Sequence, residues 1–227
     1  GMRFGADGVC TEIPGQSMIP PKARVRTFPV VEKNNWVWVW MGDPAKADPK
    51  YLPSSVGPSE PGWNIQTSKT AMNANYRLLI ANLMDVSHVS WTHEKTLSGF
   101  DGWFTCDKTI TELERGFRTT FWMPDTPPLP YALDLFPPGT LFDMQGTFDF
   151  TMPCNFMLHF EIWSQGTAAV GKENGQLLLD SWTCQAVTPR DEDWVDYYYA
   201  WGLSDTTDGP GMTEMLIESE TAAFLED

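Results

Sequence analysis

An α+β fold is what the 227-residue sequence predicts, on three observations. The run from Asn75 to Ser98 holds no Gly or Pro and sets Leu78, Leu79, Leu83 and Val86, with Ala81 and Met84, along a helical face. A succession of short aromatic and β-branched runs follows between Thr105 and Trp201, and such residues favour a pleated surface. Met212 to Phe224 then returns to helical composition, with Met215, Ile217, Ala222 and Phe224 as its apolar positions. A helix, a large antiparallel sheet and a closing helix imply a cavity between helix and sheet.

The elements read as follows from the N-terminus. Met2 to Pro44 is a series of short strands and turns, punctuated by Gly5-Ala6-Asp7-Gly8, Pro14-Gly15 and Pro20-Pro21. Trp36-Val37-Trp38-Val39-Trp40-Met41 is its strongest strand signal, and being apolar on both faces it is expected to be covered on both. Gly42 to Gly62 is dense in Pro, Ser and Gly and reads as a linker, which divides the chain into 1–45 and 46–227. After the helix that starts near Asn75, strands are expected over Thr105 to Glu114, Phe117 to Met123, Gly146 to Phe150, Phe156 to Trp163, Leu177 to Val187 and Tyr197 to Trp201.

Composition narrows the function. A chain that is 42% hydrophobic can bury a substantial core. Its formal charge of -15, with no Lys/Arg-rich run, repels phosphate backbones, so no nucleic-acid partner is expected. Cys10, Cys106, Cys154 and Cys184 lie far apart, which predicts reduced thiols. No apolar run approaches the roughly 20 residues that span a bilayer, and no signal-like N-terminus is present, so a soluble cytoplasmic chain without membrane association is expected.

The chemistry-bearing residues cluster. Of three histidines, His88 and His93 fall in the first helical segment beside Asp85. Two imidazoles with a carboxylate suit Fe(II), Zn or Mn, and as a facial set they leave positions open for oxygen and substrate. On a regular helix, residues five apart sit roughly 140° around from each other. Both can therefore face one ion only where the helix is distorted or ends between them. Spacing alone leaves a second reading open, with one histidine packed in the core and the other solvated. The His-Glu-x-x-His pattern of zinc proteases is excluded, because Glu94 follows His93 and the histidines are not four apart.

The words around the histidines are more specific than their spacing. Asn82-Leu83-Met84-Asp85-Val86-Ser87-His88-Val89-Ser90-Trp91-Thr92-His93 resembles the iron-binding helix of the Rieske non-haem iron oxygenases, in the branch typified by the oxygenase components of vanillate and dicamba O-demethylases. Gly1-Met2-Arg3-Phe4-Gly5-Ala6-Asp7-Gly8-Val9-Cys10 with Glu12-Ile13-Pro14, and Trp38-Val39-Trp40-Met41-Gly42-Asp43-Pro44 with Ala47-Asp48, resemble the closing segment of that family's Rieske domain. The resemblance implies a helix-grip catalytic domain of the START or Bet v1 type, preceded by a β-rich Rieske remnant. It implies that His88 and His93 ligate Fe(II), that Asp85 links this iron to the [2Fe-2S] cluster of a neighbouring subunit, and that Asn82 stands close to the metal. The third ligand would be Asp227, which ends Ala223-Phe224-Leu225-Glu226-Asp227.

The same resemblance implies O2-dependent hydroxylation or demethylation of an aromatic or other apolar substrate, with electrons from a reductase or ferredoxin, in a homotrimer. The paired Cys-x-His and Cys-x-x-His ligands of the [2Fe-2S] cluster are absent from this chain, so it is expected to be a fragment that is catalytically silent by itself. His159, alternating with Met157 on one strand face, is a candidate substrate contact. Gln185, in Cys184-Gln185-Ala186-Val187-Thr188-Pro189, stands where many relatives carry a pocket His, which argues against the same carboxylate-bearing substrate. The competing expectation is a metal-free START-like module that binds a small apolar molecule.

Overall fold

A computed structural model describes residues 1–130 and 136–226. The chain divides into two compact units, Gly1–Leu52 and Pro53–Asp227. In the first, β1 (Arg3–Phe4) pairs with β2 (Cys10–Glu12), and β3 (Val30–Lys33) pairs with β4 (Trp36–Val39). Asn34 and Asn35 both adopt positive φ in the two-residue connection, the backbone that a tight hairpin following the strand twist requires. The expectation that Trp36–Met41 is covered on both faces is not met within this unit: Val37 is 66% exposed and Val39 is also exposed. In a two-stranded ribbon, alternation sends the Trp36 and Trp38 rings to one side and the valines to the other. The unit also runs past the expected boundary at 45/46. Asp43 and Asp48 each cap a short 3-10 turn, and the second turn lays Tyr51 against Trp40.

In the second unit, β5 (Trp63–Met72) leads into helix α1 (Tyr76–Met84), and α2 (Val89–Thr92) and α3 (Gly102–Thr105) follow as short helices. Strands β6 (Lys108–Leu113), β7 (Gly116–Thr126), β8 (Phe142–Thr151) and β9 (Asn155–Ser164) come next. After α4 (Thr167–Val170) come β10 (Leu177–Pro189), β11 (Val195–Ser204) and the closing helix α5 (Met212–Ala223). Among the described residues these strands form one seven-stranded sheet in the order β5-β11-β10-β9-β8-β7-β6, antiparallel throughout. It is a meander from β6 to β11, with the first strand of the unit added beside the last.

Alternation along β8 to β11 sends Met144 and Phe148, Leu158, Phe160 and Ile162, Ser181, Thr183 and Gln185, and Trp201 to the face that the helices cover. Gly146 occupies the same face because Phe121, its cross-strand partner on β7, folds its ring over that position. A Cβ there would sit 2.2 Å from the ring. Trp103 of α3 packs edge-on against Phe121 and Phe160 and extends this wall. Helix α5 buries Thr213, Leu216, Glu220 and Ala223 against the other end of the sheet. On the opposite face of β10, Cys184 is buried, and burial pushes its thiol up to about 12 while the backbone of Val56 hydrogen-bonds it. All four cysteines are free. Among the described residues, no helix is long and apolar enough to cross a membrane.

Candidate active site

The site is assembled by a segment that never settles into one helix. Helix α1 starts under an Asn75 cap, whose side chain accepts from the Arg77 amide, and it stops at Met84. Asp85 leaves the helical backbone, and its carboxylate accepts from the Ser87 amide at 2.9 Å and the Ser87 hydroxyl at 2.6 Å, so it starts a new 3-10 turn, Val86–His88. Helix α2 follows, and after His93 the chain widens into a π-helical turn, Glu94–Ser98. The long metal-binding helix expected here is thus distorted into a sequence of four pieces. Asp85 breaks it, because a carboxylate that caps a new turn ends the old one. His88 closes the 3-10 turn and His93 ends α2, so the two histidines stand at the two ends of one short helix.

The two rings meet through Nε2, 3.1 Å apart, with His93 only 3% exposed. Each Nδ1 is engaged elsewhere. His88 Nδ1 donates to the Asp85 carbonyl in a short contact, and His93 Nδ1 donates to Glu226 Oε2 at 3.0 Å. The Glu226 carboxylate also accepts from Thr96 Oγ1 at 2.6 Å, and the Thr96 carbonyl accepts from Ser219 of α5. With both Nδ1 atoms donating, both Nε2 lone pairs point at the same space, an arrangement that a cation relieves. Two nitrogens about 2.1 Å from one ion and about 3 Å from each other subtend roughly a right angle, as neighbouring ligands do. The donor set therefore fits a first-row divalent metal. Among the described residues no third His, Cys, Asp or Glu joins the pair as a metal cluster, and Asp227 lies outside them.

The histidines open onto a cavity of about 120 Å³. Its walls are mainly apolar, with Leu83, Val86, Trp103, Phe148, Phe160 and Ile162 prominent. The polar lining is Asn82 from α1, Ser181, Thr183 and Gln185 from β10, and Glu220 from α5. Ser181 Oγ is engaged by Trp201 Nε1 at 2.5 Å, and Gln185 Nε2 donates to Glu220 Oε1 at 2.8 Å. Burial pushes the Glu220 carboxyl up to about 8, against the opposing effect of the Gln185 bond. Gln185 Oε1 and Trp103 Nε1 are buried with no hydrogen-bond partner among the described residues.

The structure brings Asn82, His88, His93 and Gln185 to this cavity. Asp85 stands exposed beside them, its carboxyl held below the usual carboxylate range mainly by the Ser87 hydroxyl. His159 is not among the lining residues. Strand alternation turns it to the other face of β9, where it bonds Asp180 at 2.6 Å and stacks on Trp182, with ring centroids 4.1 Å apart. Sequence reasoning assigned no role to Glu226 or Glu220. The signal for Glu220 was its spacing: Thr213, Leu216, Glu220 and Ala223 recur at helical intervals and share the buried face of α5.

Residues 72–227 match the family described as the vanillate O-demethylase oxygenase C-terminal domain. The chain belongs to this family. Among its relatives, the toluene-4-sulfonate monooxygenase system iron-sulfur subunit of Comamonas testosteroni is 43% identical over 97 residues, which cover 43% of this chain and 28% of that protein. The oxygenase component of dicamba O-demethylase from Stenotrophomonas maltophilia is 37% identical over 94 residues, covering 41% of this chain and 28% of that protein. The crystal structure of dicamba monooxygenase bound to 3,6-dichlorosalicylic acid matches with a TM-score of 0.83 at 25% identity, covering 98% of this chain and 64% of that one. The chain thus spans only part of the length of each of these relatives. Membership in the vanillate and dicamba branch of Rieske oxygenases agrees with the motif Asn82–His93, and the dicamba monooxygenase fold agrees with the expected α+β architecture.

Proposed function

We propose that this chain carries the catalytic domain of an O2-dependent oxygenase, in which a mononuclear Fe(II) held by His88, His93 and Asp227 serves hydroxylation of a methyl group on an aromatic or similarly apolar substrate. A hydroxylated O- or N-methyl group then collapses with release of formaldehyde, which is demethylation. The observation that most supports this reading is the convergence of two Nε2 atoms, 3.1 Å apart, on the wall of an apolar cavity. The names of the relatives, monooxygenase and O-demethylase, point to the same chemistry.

Bound at this position, iron would supply the reductive activation of dioxygen. The chain's own residues do the rest. The Asp85 carbonyl and the Glu226 carboxylate fix the ring tautomers so that each Nε2 carries the lone pair a metal would take, with Thr96 holding Glu226 in place. The leucine, valine and phenylalanine walls keep water from the reacting carbon. Asp85, exposed and with its charged form favoured, suits a role in linking this centre to an electron donor on a neighbouring subunit. That donor would be a [2Fe-2S] cluster fed by a reductase or ferredoxin in a homotrimer, and unit Gly1–Leu52 would be part of the corresponding Rieske domain.

The test is metal analysis of protein purified anaerobically with added Fe(II). Near one iron per chain is expected, and His88→Ala should retain none. Equal iron in both proteins, or none in either, would overturn this reading. A small apolar ligand that binds without regard to chelator or to His88→Ala would favour a metal-free binding module instead.

A further inference from the structure

We infer that Gln185 and Glu220 form a polar subsite that selects an uncharged substrate bearing a hydroxyl or amide-type group, which both donates and accepts a hydrogen bond, and that turns away carboxylates and sulfonates. The inference rests on the reading of the cavity as a substrate cavity. It goes further in naming the group by which a substrate is recognised.

The pair is built into the wall. Gln185 and Glu220 are each 4% exposed, one on a central strand and the other on the closing helix, and both line the cavity that His88 and His93 reach. Their mutual bond uses one amide hydrogen and Glu220 Oε1. Gln185 Oε1 is left as a buried acceptor with no partner among the described residues, and an unmet buried acceptor is costly. Glu220 meets no cation: among the described lining residues there is no Lys or Arg. A carboxyl buried in apolar surroundings without a cation keeps its proton. It therefore has an O–H to give, whereas the amide oxygen beside it has a lone pair to offer. A phenolic hydroxyl satisfies both at once, accepting from Glu220 and donating to Gln185. A carboxylate or sulfonate has no hydrogen for Gln185 Oε1, and its charge would lie unpaired beside an acidic side chain. The cavity volume of about 120 Å³ suits a single ring, since apolar cavities of about 150 Å³ hold benzene.

The experiment is calorimetric titration of the full chain, with and without Fe(II), using 2-methoxyphenol and 2-methoxybenzoate as probes. The phenol is expected to bind at least about tenfold more tightly than the benzoate, the scale of discrimination set by one unmatched buried polar group. Glu220→Leu and Gln185→Leu should each erase most of that preference, and Glu220→Gln, which keeps a donor in place, should retain it. Circular dichroism of each variant establishes that it is folded, and Gln185→Leu serves if Glu220→Leu is not. Equal affinity for the two probes, binding of neither, or a preference untouched by both leucine variants would overturn the inference. The iron readout is separate. Selective phenol binding without iron uptake would uphold the subsite and overturn the oxygenase reading, whereas iron uptake without selectivity would do the reverse.

Discussion

The wall of the cavity that carries His88 and His93 is a segment that passes from α-helix to 3-10 turn, back to α-helix and into a π turn within some fifteen residues, whereas the wall that carries Gln185 and Glu220 is an unbroken strand and a regular helix. The first needs irregular backbone because two side chains five residues apart must meet at a point. The second needs none, because its partners come from separate elements that packing already opposes. The proposed metal site thus rests on a locally broken backbone, and the proposed polar subsite on the ordinary register of sheet and helix.

The largest expected effect is on the irregular wall. His93→Ala removes a buried ring whose Nε2 meets His88, and it should abolish stoichiometric iron binding, read by metal analysis. Next is the pH response of the regular wall. Glu220 is raised from 4.5 to about 8, so the folded protein keeps this proton after the unfolded chain has lost it. The stability contributed by the neutral group is therefore full below about pH 4.5 and is lost progressively as the pH rises to about 8, a change on the order of a few kcal/mol. Thermal unfolding followed across that window should fall for the natural chain and stay flatter for Glu220→Gln. Identical pH profiles would break the contrast between the two walls, since Glu220 would then be no more than an ordinary solvated acid.

Smaller effects sharpen it. Glu226→Gln leaves an acceptor beside His93 but removes the charge, and it should weaken iron affinity roughly 10- to 100-fold, measured by competition with a chelator. Asp85→Asn keeps a side chain able to cap the Val86–His88 turn, so it should shift stability by no more than about 0.5 kcal/mol. A large loss of stability there would mean that the carboxylate charge, and not the capping oxygen, holds the break in place.

How much of this was legible varies with how local the signal is. Strands β7 to β11 announce themselves through dense aromatic and β-branched runs such as Phe156–Trp163, and their ends were underestimated, as at Phe142–Gln145 of β8 and Gly202–Ser204 of β11. Strand β5 gives no such warning: Gln66-Thr67-Ser68-Lys69-Thr70 has little apolar character, and only pairing with β11 at the sheet edge makes it a strand. The opposite error fell on Trp36–Met41, whose apolar character says nothing about whether a second layer exists to cover it. The break between the histidines followed from angular arithmetic, because a regular helix cannot bring residues five apart together. The break at Asp85, which precedes both histidines, did not, since it depends on the Asp85 bonds to Ser87. Gln185 was singled out by its place before Thr188-Pro189, whereas Glu220, 35 residues on, carries no motif. Their meeting comes from the packing of α5 across the sheet. His159 was misplaced for the complementary reason: period two identifies its strand-mates but not which face is lined by the cavity.

Cys184 sits one residue from Gln185 and faces the other way, sealed on the back of the sheet with its thiol pushed to about 12. A thiol held protonated and out of reach reacts with an alkylating reagent only during excursions that expose it. Its labelling rate therefore reports how often the back of β10 is uncovered near Val56, on a timescale that equilibrium melting does not resolve. Comparing that rate with and without a ligand in the cavity would tell whether filling one face of the sheet quiets the other.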